Sequence, residues 1–264
     1  MQRLFIGALC AFAALTVSAA VTGSLKLENG DELKGTVHWS AREKAYIVTK
    51  GRVEQKIKAA EVAEIGIEKP AAFDAAVAQV EKGQSAAAIP VLQKIVKEYA
   101  HLQWDKAAGR YLAEAYLAAG KPNDALRVCE GIIKEDFSAA YRGELAPAYW
   151  SALLGLNRRN PLEKSLEKAV RGEDRFSRGA ALIMYGDIAM KDGNGSADAC
   201  RKALAEYYLR VVFRYRDDDV AAKLRPEALY KAARCFDGLG QSARADFMRT
   251  ELKKSYASSP WASR

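Results

Sequence analysis

The chain has 264 residues, half of them hydrophobic, and its 41 basic and 33 acidic side chains leave a formal net charge of +8. This length allows one medium-sized domain and one small one. After the first residues, no charge-free apolar stretch approaches the roughly 20 residues that a membrane-spanning helix needs. Basic residues are interleaved with acidic ones, which indicates a solvated surface.

The first 20 residues have the layout of a secretory signal peptide. Arg3 is followed by an apolar run from Leu4 to Val17, and small residues lead to Ala20. This order of a basic start, a short apolar core and a small-residue exit is typical of a cleaved leader. We therefore expect cleavage after Ala19 or Ala20 and an exported, periplasmic or envelope-associated protein. The alternative is an uncleaved N-terminal anchor.

Cleavage would remove Arg3 and change the net charge from +8 to +7. A basic excess favours acidic partners or an anionic envelope surface. Nucleic acid is not an expected partner, because an exported protein rarely meets any.

The cysteines do not indicate a disulfide framework. Cys10 lies in the middle of the leader's apolar run and fits a lipid-attachment site poorly. The other three, Cys129, Cys200 and Cys235, are an odd number in helical apolar patterns, where a free thiol behaves as a small hydrophobic group. A bridge between Cys200 and Cys235 is the alternative.

Residues 21–69 are predicted to form a small β module. Short alternating stretches predict five strands at about 24–28, 33–39, 45–49, 53–58 and 61–67. Asn29 and Gly30 favour a two-residue hairpin turn, and Gly51 favours a turn with a positive φ. Five short strands with tight turns are typical of an SH3-like or Sm-like partial barrel, and Pro70 ends the strand region.

Residues 70–258 are predicted to form five helical pairs, and 259–264 a C-terminal tail. The apolar period becomes helical after Pro70, and the predicted pairs are 71–82 with 84–99, 105–119 with 122–135, 140–157 with 161–171, 176–191 with 196–215, and 220–238 with 241–257.

The five pairs share an internal repeat. A residue suited to a left-handed helix cap ends each first helix, and seven positions earlier a small residue recurs in four of the five pairs. The cap residues are Gly83, Gly120, Asn157, Gly193 and Gly240, and the earlier positions hold Ala76, Ala113, Trp150, Gly186 and Ala233.

This pattern resembles the tetratricopeptide repeat family, whose period is 34 residues. The second pair matches with Ala113, Tyr116, Gly120 and Ala125, and the last with Ala233, Phe236, Gly240 and Ala245. The first pair matches partly, and the third and fourth are degenerate. The resemblance implies an α-solenoid that follows the β module, in a mainly α protein.

The last fifty residues also resemble periplasmic repeat proteins of the Tol–Pal system and BamD-type outer-membrane assembly lipoproteins. The likeness rests on the segment from Leu229 to Ala233, on Leu239-Gly240-Gln241, and on Tyr256-x-x-Ser259-Pro260. It implies a role in the cell envelope.

The sequence contains no catalytic motif, and neither a cofactor nor a metal is expected. The two histidines, His38 and His101, are interpreted as ordinary surface residues.

Residues 192–198 offer oxygen ligands at alternate positions, but Ala197 and Ala203 occupy the positions of an EF-hand glycine and glutamate. We interpret this stretch as a turn in which Ser196 caps the next helix, and the Asp217–Asp219 cluster as the start of the last pair.

These observations favour a non-enzymatic adaptor that binds another protein on the concave surface of the array. The candidate contacts are polar residues on first helices: Arg110, Glu114, Lys231 and Arg234. One alternative is an envelope enzyme or carbohydrate-binding protein that uses Trp39, Tyr46 and Glu43 of the β module. Another is a self-assembling structural protein that associates through the module or through Trp261.

Overall fold

The computed structural model describes residues 20–216 and 220–263. The chain divides into two compact units. One contains the described residues up to Pro70 together with Ile95–Asp105, and the other contains Ala71–Lys94 and the residues from Lys106 onward. The predicted leader up to residue 19, with Cys10, and the Asp217–Asp219 cluster lie outside the described residues.

The first unit is built on a five-stranded antiparallel sheet with the strand order β4-β3-β2-β1-β5, which confirms the predicted module. A 3₁₀ turn, Ala59–Glu61, joins the last two strands. The strands are β1 Val21–Leu27, β2 Glu32–Ser40, β3 Ala45–Lys50, β4 Val53–Lys58 and β5 Val62–Ile67.

One of the two predicted hairpin turns has the expected form. Gly51 has a φ of 64° between β3 and β4. The prediction for Asn29 and Gly30 is wrong in length, because residues 28–31 all lie between β1 and β2. The Asn29 side-chain oxygen accepts a hydrogen bond of 3.0 Å from the Asp31 amide. This local bond competes with a tighter turn.

Alternating strand residues and a segment from outside the sheet form the core of this unit. Leu25, Val37, Tyr46 and Ile67 pack with Leu102, which is fully buried. The Trp104 indole donates a hydrogen bond of 2.9 Å to the Ile67 carbonyl. No pattern in the sequence indicates that residues 95–105 complete the core of the sheet.

The second unit consists of helical hairpins and confirms the predicted solenoid. A 3₁₀ turn, Phe137–Ala140, precedes the third pair, and another, Pro260–Ser263, lies in the tail. The helices are α1 Phe73–Glu81, α2 Ser85–Glu98, α3 Trp104–Ala118, α4 Pro122–Glu135, α5 Ala146–Gly155, α6 Arg159–Arg171, α7 Arg175–Asp192, α8 Ala197–Lys202, α9 Leu209–Arg214, α10 Ala221–Gly238 and α11 Ser242–Ser255.

Four of the five predicted cap residues adopt a left-handed conformation: Gly83, Gly120, Asn157 and Gly240 have φ between 56° and 76°. The prediction for Gly193 is wrong, because its φ is −90°. Asn194 and Gly195 have the positive φ values instead. The fourth pair has a longer turn, so the chain reverses one or two residues later than the spacing indicates.

Helix α8 continues into α9 through a π-helical segment, Ala203–Tyr208. The Leu209 amide donates to the Leu204 carbonyl, five residues earlier. The wider turn adds a residue to the helix and changes which side chains share a face. The fourth pair therefore has the lengthened second helix that the sequence predicts, with a local period that the sequence does not reveal.

Two further observations concern membranes and thiols. Within the described ranges, no helix combines the length and apolar character needed to cross a membrane. Cys129, Cys200 and Cys235 are buried free thiols, so Cys200 and Cys235 are not bridged in this structure. The Cys200 thiol donates to the Gly195 carbonyl at 3.8 Å.

Candidate functional site

Two of the candidate contacts, Arg110 and Glu114, form one ion pair on α3. The Arg110 Nε and Glu114 Oε1 atoms are 3.1 Å apart. The Arg110 guanidinium also lies 4.1 Å from the centroid of the Tyr111 ring and pairs with Glu144. These contacts fix Arg110 to its own neighbours.

Glu144 connects the second hairpin to the last one. It lies just before α5, and its carboxylate binds both Arg110 on α3 and Lys223 on α10. Burial acts to raise the pKa of Glu144, but the hydrogen bond from Lys223 and the charges of Arg110 and Lys223 lower it below its usual value. Burial raises the pKa of Glu114, and the charge of Arg110 offsets this only in part.

Lys231 on α10 is held by carboxylates on two helices. Its ammonium lies 2.5 Å from Asp187 on α7 and 2.6 Å from Glu227 one turn earlier. Asp187 also accepts a hydrogen bond of 2.8 Å from the Tyr208 hydroxyl. Burial acts to lower the pKa of Lys231, but the two carboxylates outweigh it and raise that pKa. Lys231 therefore stays charged at neutral pH.

We call these two groups of ion pairs, one around Arg110 and Glu144 and the other around Lys231, the first-helix network. The first group links α3 to α10 through Glu144, and the second links α7 to α10. The members are Arg110, Glu114, Glu144, Asp187, Lys223, Glu227 and Lys231.

Arg234, the fourth candidate contact, lies outside this network. It is exposed, and its guanidinium is 6.0 Å from the centroid of the Tyr230 ring. Trp261 of the tail packs beside the same ring at 5.2 Å. Arg234 is therefore the candidate whose charge is best placed to meet a partner. The assignment of all four residues to a binding surface stays a prediction.

A second candidate surface is an apolar groove between the last two second helices. Its volume is about 700 Å³, and its walls come from α8, the π-helical segment and α9 on one side, and from the end of α10 and α11 on the other. Leu204, Phe236 and Met248 form the buried floor. Phe213 and Phe247 line it while remaining 62% and 64% exposed.

The π-helical segment forms part of one wall of this groove. It directs Tyr208 to α7, where its hydroxyl binds Asp187, while Leu204 and Leu209, five residues apart, both line the groove. A regular helical period would not place these three side chains in this way. The sequence did not indicate the groove, although Phe247 on α11, a large apolar side chain that is exposed, was a usable signal.

Of the three residues in the alternative interpretation of the β module, Tyr46 lines a cavity of about 370 Å³, and neither Trp39 nor Glu43 is among the residues that line it. Tyr46 is 7% exposed and belongs to the core, and its hydroxyl donates to the His101 carbonyl at 3.1 Å. Trp39 packs edge-on against Tyr46 with 4.8 Å between ring centroids. Glu43 forms an ion pair of 2.8 Å with Lys56.

The histidines differ from the expected surface residues. The His101 ring lies 4.5 Å from that of Trp39, and the His101 amide donates to the Asp105 carboxylate at 2.7 Å. His38 is half-buried on β2. The interpretation of His101 as an ordinary surface side chain was wrong, because residues 95–105 pack in the unit of the sheet.

The turn at 192–198 caps a helix, as predicted. The Ser196 hydroxyl accepts a hydrogen bond of 3.2 Å from the Ala199 amide, and the Asp192 carboxylate pairs with Arg159. In the part of the chain that the structure describes, no three histidine, cysteine or carboxylate side chains converge as a metal site would require.

Comparison with known families supports the repeat assignment. The tetratricopeptide repeat family matches the chain over residues 71–101 and 227–259, which contain the first hairpin and all of the last one except the start of α10. The second hairpin lies outside both matched ranges although it has the motif residues. These two matches support a tetratricopeptide-like repeat architecture, and such repeats suggest binding to other proteins or a scaffold role. No curated protein and no solved structure matches it.

Proposed function

We propose that this chain is an exported, non-enzymatic adaptor that binds another protein in the cell envelope. The observation that carries the proposal is the solenoid of hairpins whose first and last members match the tetratricopeptide repeat. Stacked hairpins bury their faces against their neighbours and leave an extended surface, whose physical use is to hold a partner. The leader-like first residues support export.

The first-helix network supports a rigid binding surface. Its cations and carboxylates neutralise each other across α3, α7 and α10, so they orient these helices and leave little free charge. Arg234 adds an exposed positive charge one turn from Tyr230. The exposed charge of Arg234, rather than the network, favours an acidic partner, in agreement with the basic excess of the chain.

The localisation part is tested by fusing the first residues, up to Gly23, to alkaline phosphatase, which is active only after export. We expect phosphatase activity from the full leader and its loss when Arg3 and the apolar run are deleted. No phosphatase activity from the fusion with the full leader, although the fusion protein is present in the cells, would overturn the export proposal.

The binding part is tested by crosslinking the tagged full chain in envelope fractions and identifying recovered proteins. We expect one partner whose recovery falls when Arg234→Glu is introduced. Arg127→Glu is the matched control, because Arg127 has an exposed side chain and a single partner, Asp124, at 3.3 Å. Equal partner recovery with both variants would show that Arg234 is not part of the binding surface. Failure of the wild-type chain to recover any partner would overturn the adaptor role.

A further inference from the structure

The groove lined by Phe213 and Phe247 has the features of a binding site that is separate from the first-helix network. Two phenylalanines that are more than half exposed lie on opposite walls of an apolar cavity of about 700 Å³. A contiguous apolar patch on a soluble protein is costly to leave in water and marks an interaction surface. The groove is lined by second helices and by the C-terminal end of α10, and none of the network residues lines it.

The charges at the groove indicate what it binds. Among the described residues that line it, two are arginines, Arg201 and Arg244, and none is a carboxylate. Arg244 donates a hydrogen bond of 2.8 Å to the neutral Gln241 amide and lies 6.0 Å from the Phe236 ring centroid. Arg201 pairs with Asp198, whose side chain is 91% exposed, so water weakens this pair. Both guanidiniums can donate hydrogen bonds to a further carboxylate.

We propose that this groove binds an acidic amphipathic segment of another protein. Apolar side chains spaced at i, i+3, i+4 and i+7 on a helix fill such a cavity. Carboxylates on the flanks of that segment pair with Arg201 and Arg244, which form bidentate bonds to carboxylates. The proposal extends the adaptor role by naming a site and a class of ligand. It depends on that role for the conclusion that the partner is a protein.

A second copy of the chain fits the groove less well. A two-fold interface brings the same surface onto itself, so Arg201 and Arg244 of one copy would face the same arginines of the other. That arrangement adds repulsion and supplies no carboxylate from the residues that line the groove.

The first experiment uses two synthetic amphipathic helices that carry leucines at i, i+3, i+4 and i+7. One has glutamates on its flanks and the other has lysines at the same places. We expect the fluorescently labelled glutamate peptide to bind the chain about tenfold more tightly than the lysine peptide. Phe247→Asp and Arg244→Glu should each weaken it by about tenfold or more. Equal binding of both peptides, or no effect of the substitutions, would overturn the proposal.

Phe137→Asp is the matched control, because Phe137 is 74% exposed and does not line the groove. It should leave the affinity unchanged, and circular dichroism should show that all variants remain folded.

The second experiment identifies the occupant in cells. The photocrosslinker benzoylphenylalanine replaces Phe213, Phe247 or, as a control, Phe137 in the full exported chain, and the crosslinked peptides are sequenced. The proposal expects one segment rich in carboxylates from positions 213 and 247 and none from 137. Crosslinks only to a second copy of the chain, or only to lipid, would overturn it.

The two proposals fail in distinguishable ways. If Arg234→Glu abolishes partner recovery while Phe247→Asp and the photocrosslinks have no effect, the groove proposal fails and the adaptor role stands. If wild-type chain recovers no partner by either route, both fail.

Discussion

Gly186 on α7 provides the space that the ring of Tyr208 occupies in the fourth hairpin. A Cβ atom added at Gly186 would lie 2.3 Å from Cε1 of Tyr208, closer than any normal contact. The Tyr208 hydroxyl is held 2.8 Å from Asp187, so the ring cannot move away without breaking a buried hydrogen bond. This packing connects the first helix of the pair to the π-helical segment that shapes the groove.

The substitution Gly186→Ala is therefore expected to destabilise the protein. Crowding a packed core costs about 1–3 kcal/mol, which exceeds the gain of about 0.5–1 kcal/mol that alanine normally brings to a helix interior. Urea denaturation followed by circular dichroism measures the change. Gly131→Ala in α4 is the control, because no atom lies within 4 Å of the added Cβ, and it should be neutral or stabilising. A stabilising effect at both positions would contradict the packing described here.

The small-residue position of the repeat shows what the sequence could predict. Ala76, Ala113 and Ala233 are buried as expected, and Gly186 faces Tyr208. In the third hairpin Trp150 occupies the same position, and the small residue of the pair lies on the second helix instead. The Trp150 indole donates a hydrogen bond of 2.7 Å to the hydroxyl of Ser165, a small residue on α6. A single sequence shows only one residue of such a large-and-small pair. The residue that packs against it is identified only when the structure shows which helix faces it.

The strands, hairpins and most caps were predictable because each depends on local period and on turn residues. The contribution of residues 95–105 to the core of the sheet was not, because Leu102 and Trp104 are distant from the strands along the chain. The candidate contacts were identified as polar residues on first helices, yet Arg110 and Lys231 bind carboxylates from other hairpins. The groove is formed by side chains of two different hairpins, whose packing against each other a helical period does not indicate.

Arg225 connects the last helices through one buried guanidinium. It is 6% exposed and donates to the Val212 carbonyl at 2.9 Å, to the Tyr256 hydroxyl at 3.0 Å and to Glu251 at 3.0 Å. Arg225→Met should lower the free energy of unfolding by about 2–4 kcal/mol, because it leaves these acceptors without a donor. Arg225→Lys should recover only part of this loss, since an ammonium cannot reach all three acceptors.

Arg249→Met is the control for Arg225. Arg249 also forms ion pairs, with Asp237 and Asp246, but its side chain is 42% exposed and those of its partners 44% and 71%. Its loss should cost about 0–1 kcal/mol. Urea denaturation of the three variants measures the difference, and equal losses for Arg225→Met and Arg249→Met would contradict the role of Arg225.

Glu114 and Glu144, which both contact Arg110, are expected to affect the pH dependence of stability in opposite directions. The pKa of Glu144 in the folded protein lies below 4.5, so its stabilising contribution is present above that pH and is lost as pH falls through the folded pKa. The pKa of Glu114 in the folded protein lies above 4.5. Its contribution is therefore greatest at low pH and is lost as pH rises through the folded pKa.

Urea denaturation at pH 4 and pH 7 tests this pair of glutamates. Stability should increase less between the two pH values in Glu144→Gln than in the wild-type chain, and more in Glu114→Gln. At pH 7, Glu144→Gln should be less stable than the wild type, and Glu114→Gln should not. Changes of the same sign in both variants would show that Arg110 interacts with the two carboxylates alike.

The buried thiols should resist alkylation in the native protein. Burial raises the pKa of both Cys129 and Cys235 to about 12, so the thiolate fraction at pH 8 is on the order of 10⁻⁴. Cys200 is 2% exposed and is shielded by the same packing. Iodoacetamide at pH 8 should therefore leave Cys129, Cys200 and Cys235 unmodified in the native chain and alkylate all three in urea, as read by mass spectrometry. Rapid native labelling of Cys235 would contradict its burial, and failure of Cys200 and Cys235 to react in urea without reductant would show a disulfide between them.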